Sequence, residues 1–235
     1  MIVAAGPVIP NFGQGSACER SNGWFCTDWL SAHWGDTLQP ALVQHVWLTL
    51  IAVGIGFAIA LGLALAGFRW RLVDAQIGAL ADFLYTIPSL ALFQLLVPFT
   101  GLTVTTVEIA LVSYTLLVLY RNMVEGLRGV PADVLESARG MGLTRMQTFV
   151  RVELPLASPA ILAGLRIATV STISVATVAA FIIPKGLGEP IFIALDQNLF
   201  KTEILAAGGL AVALALFADA SLALVGRAAT PWSRA

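Results

Sequence analysis

Of the chain's 235 residues, Asp, Glu, Lys and Arg make up 11%, against roughly a quarter in an ordinary soluble domain. So few charges cannot cover a water-facing surface, and with 58% hydrophobic residues the composition is that of a bilayer protein. A net charge of −1 removes the electrostatic footprint of a nucleic-acid binder, and no hydrophilic stretch is long enough to fold as a second domain.

Residues 1–43 lack the short apolar core behind a basic start that marks a cleavable leader, and are expected as an extracytoplasmic tail. Trp24, Trp29 and Trp34, with Trp47 just inside the first span, read as an interfacial aromatic belt rather than a substrate-contacting cage. Cys18 and Cys26 could close a small disulfide loop if this end faces an oxidising compartment; spacing alone leaves that open.

An ionised side chain at the bilayer centre costs roughly 2.5–3.5 kcal/mol on the mildest scale, so charge-free runs mark the spans. With about 20 residues per crossing, they fall near 44–67, 76–98, 104–119, 156–183 and 204–225. The predicted fold is all-α, a polytopic bundle of five transmembrane helices over residues 44–226, followed by a tail at 227–235. Pro88 makes a broken helix plausible near residues 86–89. Nine arginines (69, 71, 121, 128, 139, 145, 151, 227 and 234) fall on one side, while Arg20, Lys185 and Lys201 fall on the other and Arg166 lies inside a span. The arginine-rich side is predicted cytoplasmic, which puts the N-terminus outside and the C-terminus inside.

The long loop between the third and fourth spans, residues 121–155, carries most of the remaining information. Pro131 and Asp133 mark a helix start, because proline is tolerated in the first turn and a carboxylate complements the positive dipole end. That helix covers about 133–140, Gly140 and Gly142 interrupt it, Thr144 caps a second, and Met146, Phe149 and Val150 give the second an apolar face. Pro155 is expected to stop it. The product is a membrane-surface elbow presenting Leu135, Met141 and Leu143 among charges. Small Ala138 and Gly142 would let it sit deep in a partner's groove, with Glu136 free to pair with a basic group there. An amphipathic loop on anionic lipid is the other reading, but lipid binding would not require this glycine and proline spacing.

Glu136, Ser137 and Ala138, then Gly142 four residues on, then Val152, Glu153, Leu154 and Pro155 after nine more, resemble the motif of permease subunits of ATP-binding-cassette importers. Ser137 stands for the usual alanine and Val152 for isoleucine. Further segments are similar to the osmoprotectant branch, whose members take up glycine betaine, carnitine, choline or proline: Leu84 to Leu92, Arg139 to Gly142, Val152 to Ala157, Ala163 to Arg166, and Lys185 to Gly188. Pro184 and Lys185 depart from the small residues usual before that glycine turn. The resemblance implies an inner (plasma) membrane of a bacterium or archaeon, and a loop that docks on a separate cytoplasmic ATPase through Glu136, Ser137, Ala138, Arg139, Gly140, Met141, Gly142, Leu143, Leu154 and Pro155. It also implies an extracytoplasmic substrate-binding protein that carries the high-affinity recognition. One loop per chain and only five spans call for a second permease chain, identical or related. No cofactor or metal is implied, and a phosphate-cradling glycine-rich lysine motif is absent, so the chain is read as a transport subunit and not an enzyme.

Within the spans, Gly54, Ala58, Gly62 and Ala66, and Ala160, Gly164, Ala168, Thr172, Ala176 and Ala180, recur every four residues and read as packing stripes. Thr169, Ser171, Thr172, Ser174 and Thr177 are the candidate hydrophilic wall of a translocation path. Asp82, Glu108, Arg166 and Asp219 are the intramembrane ionisable groups, with Arg166 expected to pair with Asp82 or Asp219. Residues 184–190 read as a tight outer turn, either a gate, a docking edge or a turn alone. An amino-acid importer such as one for methionine is the nearest competing substrate class, and an ion-coupled secondary carrier the competing mechanism. The carrier is disfavoured because the five unequal spans show no internal repeat.

Overall fold

The computed structural model describes residues 17–197 and 199–234. Among them every regular element is helical: α1 (Ala17–Arg20), α2 (Thr27–His33), α3 (Gln39–Arg69), α4 (Arg71–Thr86), α5 (Ser89–Thr100), α6 (Val104–Arg128), α7 (Ala132–Gly140), α8 (Arg145–Thr148), α9 (Leu154–Ala179), α10 (Gly188–Gln197) and α11 (Lys201–Ala229). Four stretches, built on α3, α6, α9 and α11, are long and apolar enough to cross a bilayer. α4 and α5, bent by 100° where they meet, make the fifth. The all-α five-span bundle expected from the charge-free runs is the fold found, with shifted ends.

Those shifts have local causes. α3 begins at Gln39 because a π turn, Trp34–Leu38, joins α2 to it without interruption. α6 continues to Arg128, well past the predicted end at 119, since Arg121 and Arg128 find carboxylates on α4, Asp82 and Asp74. Charges read as loop residues are helical because they are neutralised in place. The α4–α5 break falls at Ile87 and Pro88, both with extended backbone, as proline disfavours the α conformation in the residue before it.

The core is the contact of α3, α6 and α9. Ala60 and Ala64 of α3 and Ala168 of α9 pack on Leu119, Tyr120 and Met123 of α6. Nearer the other end, Ala52, Ala176 and Ala179 close on Val107, Leu111 and the α5 pair Leu92 and Phe93. The α9 stripe packs as read from the sequence, with Gly164, Ala168, Thr172, Ala176 and Ala180 buried and Ala160 half-buried. The α3 stripe is a correction: Ala52, Gly56, Ala60 and Ala64 are buried, whereas Gly54, Ala58 and Gly62 face outward. A Cβ built on Gly54 or Gly62 would meet nothing within 4 Å. Both sets are small and recur every four residues, so spacing alone could not choose between them.

Of the expected tail at 1–43, residues 1–16 lie outside the described residues, and the part from Ala17 on is held down on the bundle. Cys18 and Cys26 form a disulfide with Cα atoms 5.6 Å apart. The Lys201 N–H donates to Asn22 Oδ1 at 3.0 Å, and the Cys26 N–H to Thr202 Oγ1 at 3.0 Å, which fixes the loop on the start of α11. Trp29 is a second correction. It is buried with Leu38 and Ala207 and stacks on His33 at 4.5 Å, so only Trp24, Trp34 and Trp47 remain exposed as belt residues. Residues 184–190 are not one turn either. The turn ends at Leu187 and α10 follows, a short helix with no alternating charge or long apolar run to announce it.

Candidate functional site

The loop after α6 is an elbow built by two capping motifs. α7 ends in a Schellman arrangement: the Leu143 N–H donates to the Ala138 carbonyl at 3.2 Å and the Gly142 N–H to the Arg139 carbonyl at 2.9 Å, with Gly142 at φ +79°. A side chain at that φ would clash with its own backbone, so only Gly142 of the two glycines is conformationally required. Gly140 is the last helical residue of α7. α8 starts with a reciprocal capping box, in which the Thr144 N–H donates to Gln147 Oε1 at 2.8 Å and the Gln147 N–H to Thr144 Oγ1 at 3.4 Å.

Two expectations fail at this elbow. Pro155 does not stop the second helix: a π turn, Phe149–Glu153, carries α8 into α9, and Pro155 sits in the first turn of α9, where its missing N–H is tolerated. Ala138 does not face a partner. It is 1% exposed, packed inward, so its small size serves the fold of the elbow itself. Glu136, Ser137, Arg139, Gly140, Met141 and Gly142 are exposed, whereas Leu143, Leu154 and Pro155 are half-buried. Met141 at 72% and Met146 at 70% exposure are uncovered apolar side chains on the elbow, two residues after Arg139 and one after Arg145.

The elbow is tied to the bundle by a network that the sequence did not announce. Asp74 of α4 accepts from the Tyr120 hydroxyl at 2.6 Å and from Arg128 Nη1 at 2.7 Å, and Arg128 Nη2 donates to the Gly67 carbonyl at 3.1 Å. Arg128 is the last residue of α6, one residue before the elbow begins its turn. Tyr120 is fully buried and fits because its neighbour is Gly67, where a Cβ would collide with the phenol.

Arg166 pairs with Asp219 of α11, Nε and Nη2 reaching the two carboxylate oxygens at 2.9 and 2.8 Å. Asp82, the other expected partner, is occupied by Arg121 at 2.6 Å, because both stand on the facing sides of α4 and α6. Glu108 is half-buried, and its two carboxylate oxygens are buried with no hydrogen-bond partner among the described residues.

The five hydroxyls of α9 do not line one wall. Thr169, Thr172 and Thr177 donate to the carbonyls one turn back, at 2.7, 2.7 and 3.1 Å, and Ser171 and Ser174 face outward. Only Ser171 and Thr172 reach a cavity of about 290 Å³, which opens at the α4–α5 break beside Tyr85, Thr86 and Tyr114. At the far end of the bundle His45, fully buried, bridges three elements. Its Nε2 donates to the Ile173 carbonyl at 3.0 Å and its Nδ1 accepts the Leu187 N–H at 3.2 Å, which fixes a neutral tautomer. A lone histidine in an apolar run gives no hint of this in the sequence.

A bundle of several membrane-capable helices with a broken helix and a structured surface elbow defines a polytopic membrane protein. The chain belongs to the family described as binding-protein-dependent transport system inner membrane component, which it matches over residues 56–230. It is 38% identical over 198 residues to the choline transport system permease protein of Bacillus subtilis (strain 168), covering 84% of this chain and 90% of that one. The glycine betaine/carnitine/choline transport system permease protein of the same organism is 36% identical over 189 residues, 80% of this chain and 86% of that one. Among solved structures the inward-facing MetNI methionine ABC transporter superposes with a TM-score of 0.70 at 20% identity, over 86% of this chain and 97% of that one, which shows the shared fold. The chain is thus a multi-pass inner-membrane permease of an ABC importer, a transport subunit rather than an enzyme, and the ATPase is a separate subunit. A substrate-binding protein and a second permease complete such an importer.

Proposed function

We propose that this permease admits a small osmoprotectant, a quaternary-ammonium solute such as glycine betaine, choline or carnitine, with proline as a further member of the class. The observation that carries the ATPase-driven part of the reading is the elbow: exposed Met141 and Met146, with exposed Glu136, Arg139 and Arg145 on the same short segment and a turn fixed by Gly142, offer an ATPase both apolar and charged contacts. The names of the sequence relatives support the substrate class. The elbow end is cytoplasmic and the N-terminal segment, 1–43, extracytoplasmic; the Cys18–Cys26 disulfide supports this, since such bonds persist in oxidising compartments. The permease domain is residues 44–226, with the coupling loop at 121–155 and a cytoplasmic tail at 227–235. Two permease chains, identical or related, enclose the path, whose α9 wall is narrowed to the side carrying Ser171, Thr172 and Ser174. Thr169 and Thr177 act in packing. Arg166 and Asp219 hold α9 to α11, and Asp82 serves α4 and α6.

The test is copurification of the chain with its ATPase and binding protein, followed by uptake into proteoliposomes of radiolabelled betaine, choline, carnitine, proline and methionine. ATP-dependent uptake of the quaternary-ammonium solutes is expected. Uptake of methionine alone would refute the substrate class, and uptake without ATP the importer reading.

A further inference from the structure

The α4–α5 break exposes groups that a continuous helix would hide. α4 ends at Thr86 without a helical successor, so its last carbonyls have no intrahelical donors. The Thr86 hydroxyl satisfies the Phe83 carbonyl at 2.7 Å, and the Tyr114 hydroxyl donates to the Ile87 carbonyl. Among the described residues no backbone donor beyond the helix reaches the carbonyls of Tyr85 and Thr86. Both residues line the 290 Å³ cavity, which lies between the break, α6 and α9. Tyr85 is 49% exposed and meets Tyr114 edge-on, with centroids 6.0 Å apart and planes at 70°. Two rings nearly at right angles are two walls of a box, and the electron-rich faces of such rings attract cations that cannot donate hydrogen bonds.

Depth agrees with a place on the path. From the elbow end, the break is 16 residues along α4, roughly 24 Å, and Ser171 is 18 residues along α9, roughly 27 Å. Tyr114 lies 11 residues into α6 from the opposite end, roughly 16 Å. Irregular backbone at such depth is tolerated where it lines a polar cavity, and interrupted helices are a recurrent way to build solute sites there.

We propose that this cavity holds the quaternary-ammonium group of the solute in transit, in the corner formed by the Tyr85 and Tyr114 rings and against the free carbonyls of Tyr85 and Thr86. The inference rests on the substrate class proposed above. It assigns to the permease its own contact with the solute, weak by design, because a site that bound tightly would trap what it must release. Ser171 offers a hydroxyl at the rim for the remainder of the solute, and Thr172, bonded to the Ala168 carbonyl, supplies only its methyl face.

The experiment uses the complete importer, permease with ATPase and binding protein, in proteoliposomes carrying wild type, Tyr85→Leu or Tyr85→Phe. Half-exposed Tyr85 makes neither substitution a threat to folding, and insertion is checked by size-exclusion elution. Loss of the ring should lower choline and betaine uptake about tenfold, whereas ATP hydrolysis stimulated by the liganded binding protein stays within about twofold of wild type. Tyr85→Phe, which keeps the ring, should transport within about twofold of wild type. Undiminished uptake by Tyr85→Leu overturns the site. So does an equal loss in both variants, or a parallel loss of ATPase stimulation, since either would make Tyr85 structural. Wild-type importer that carries no quaternary-ammonium solute fails earlier, and refutes the substrate class rather than the cavity's geometry alone.

Discussion

Replacing Gly142 separates the fold of the elbow from its fit to a partner. At φ +79° an L side chain costs about 1–2 kcal/mol, less for Asn, which tolerates the left-handed region. A Cβ there meets nothing within 4 Å, so no steric cost is added in the isolated chain. Gly142→Asn, Gly142→Ala and Gly142→Trp should therefore all insert and elute like wild type. In the docked state an indole must fit where a hydrogen did, and overpacking of a tight contact costs about 1–3 kcal/mol. The turn strain is present before and after docking, so overpacking alone weakens assembly, by about 1–3 kcal/mol or roughly 5- to 150-fold. The assay is titration of the ATPase onto permease in nanodiscs, followed by ATP-driven uptake. Affinity should fall in the order of side-chain size, Gly, Ala, Asn, Trp. Wild-type affinity and uptake for Gly142→Trp would refute the idea that this turn enters a groove.

Tyr120→Phe removes a 2.6 Å bond to the charged Asp74 carboxylate inside the core, worth about 1.5–3 kcal/mol, and should lower the thermal unfolding midpoint in detergent by roughly 3–12 °C. An unchanged midpoint would leave the Asp74 network without energetic weight. Arg166→Gln strips Asp219 of its bidentate partner and should reduce the yield of folded chain, and the double variant Arg166→Gln/Asp219→Asn should recover most of the loss; strictly additive losses would show that the pair does not interact. Gly164→Ala puts a Cβ 2.5 Å from the Cβ of Asn122 and should destabilise by about 1–3 kcal/mol, while Gly62→Ala, in open space, should change the midpoint little in the isolated permease. Equal effects at the two glycines would overturn the assignment of the buried α3 face.

The five spans were legible because a bilayer penalises unpaired charge, and a run without charge is visible in one sequence. Their ends were not, because Arg121 and Arg128 are paired across sequence separations of 39 and 54, and pairing at a distance leaves no local trace. The elbow was legible in its turn chemistry: Gly142 and Thr144 sit where their conformational preferences predict. Its continuation into α9 was not, since a proline that begins a helix and one that ends a helix look alike until the π turn is seen. Arg166 came with two candidate partners, and helix order alone could not choose between Asp82 and Asp219. Tyr85 and Tyr114 are 29 positions apart and gain meaning only from the 100° bend that brings the end of one helix to the middle of another.

The π turn at 149–153 has a mechanical corollary. It joins α8 to α9 without a break, so 145–179 is one continuous helical run about 50 Å long, with Pro155 and Pro159 just beyond the π turn, whereas α7 hangs from α6 through the non-helical residues Gly129 to Pro131. The two arms of the elbow therefore join the bundle differently, one through a non-helical link and the other through an unbroken helix. The far half of that run carries Ser171 and the carbonyl that grips His45, so a movement of this helix displaces one side of the solute cavity and the turn at Leu187 together.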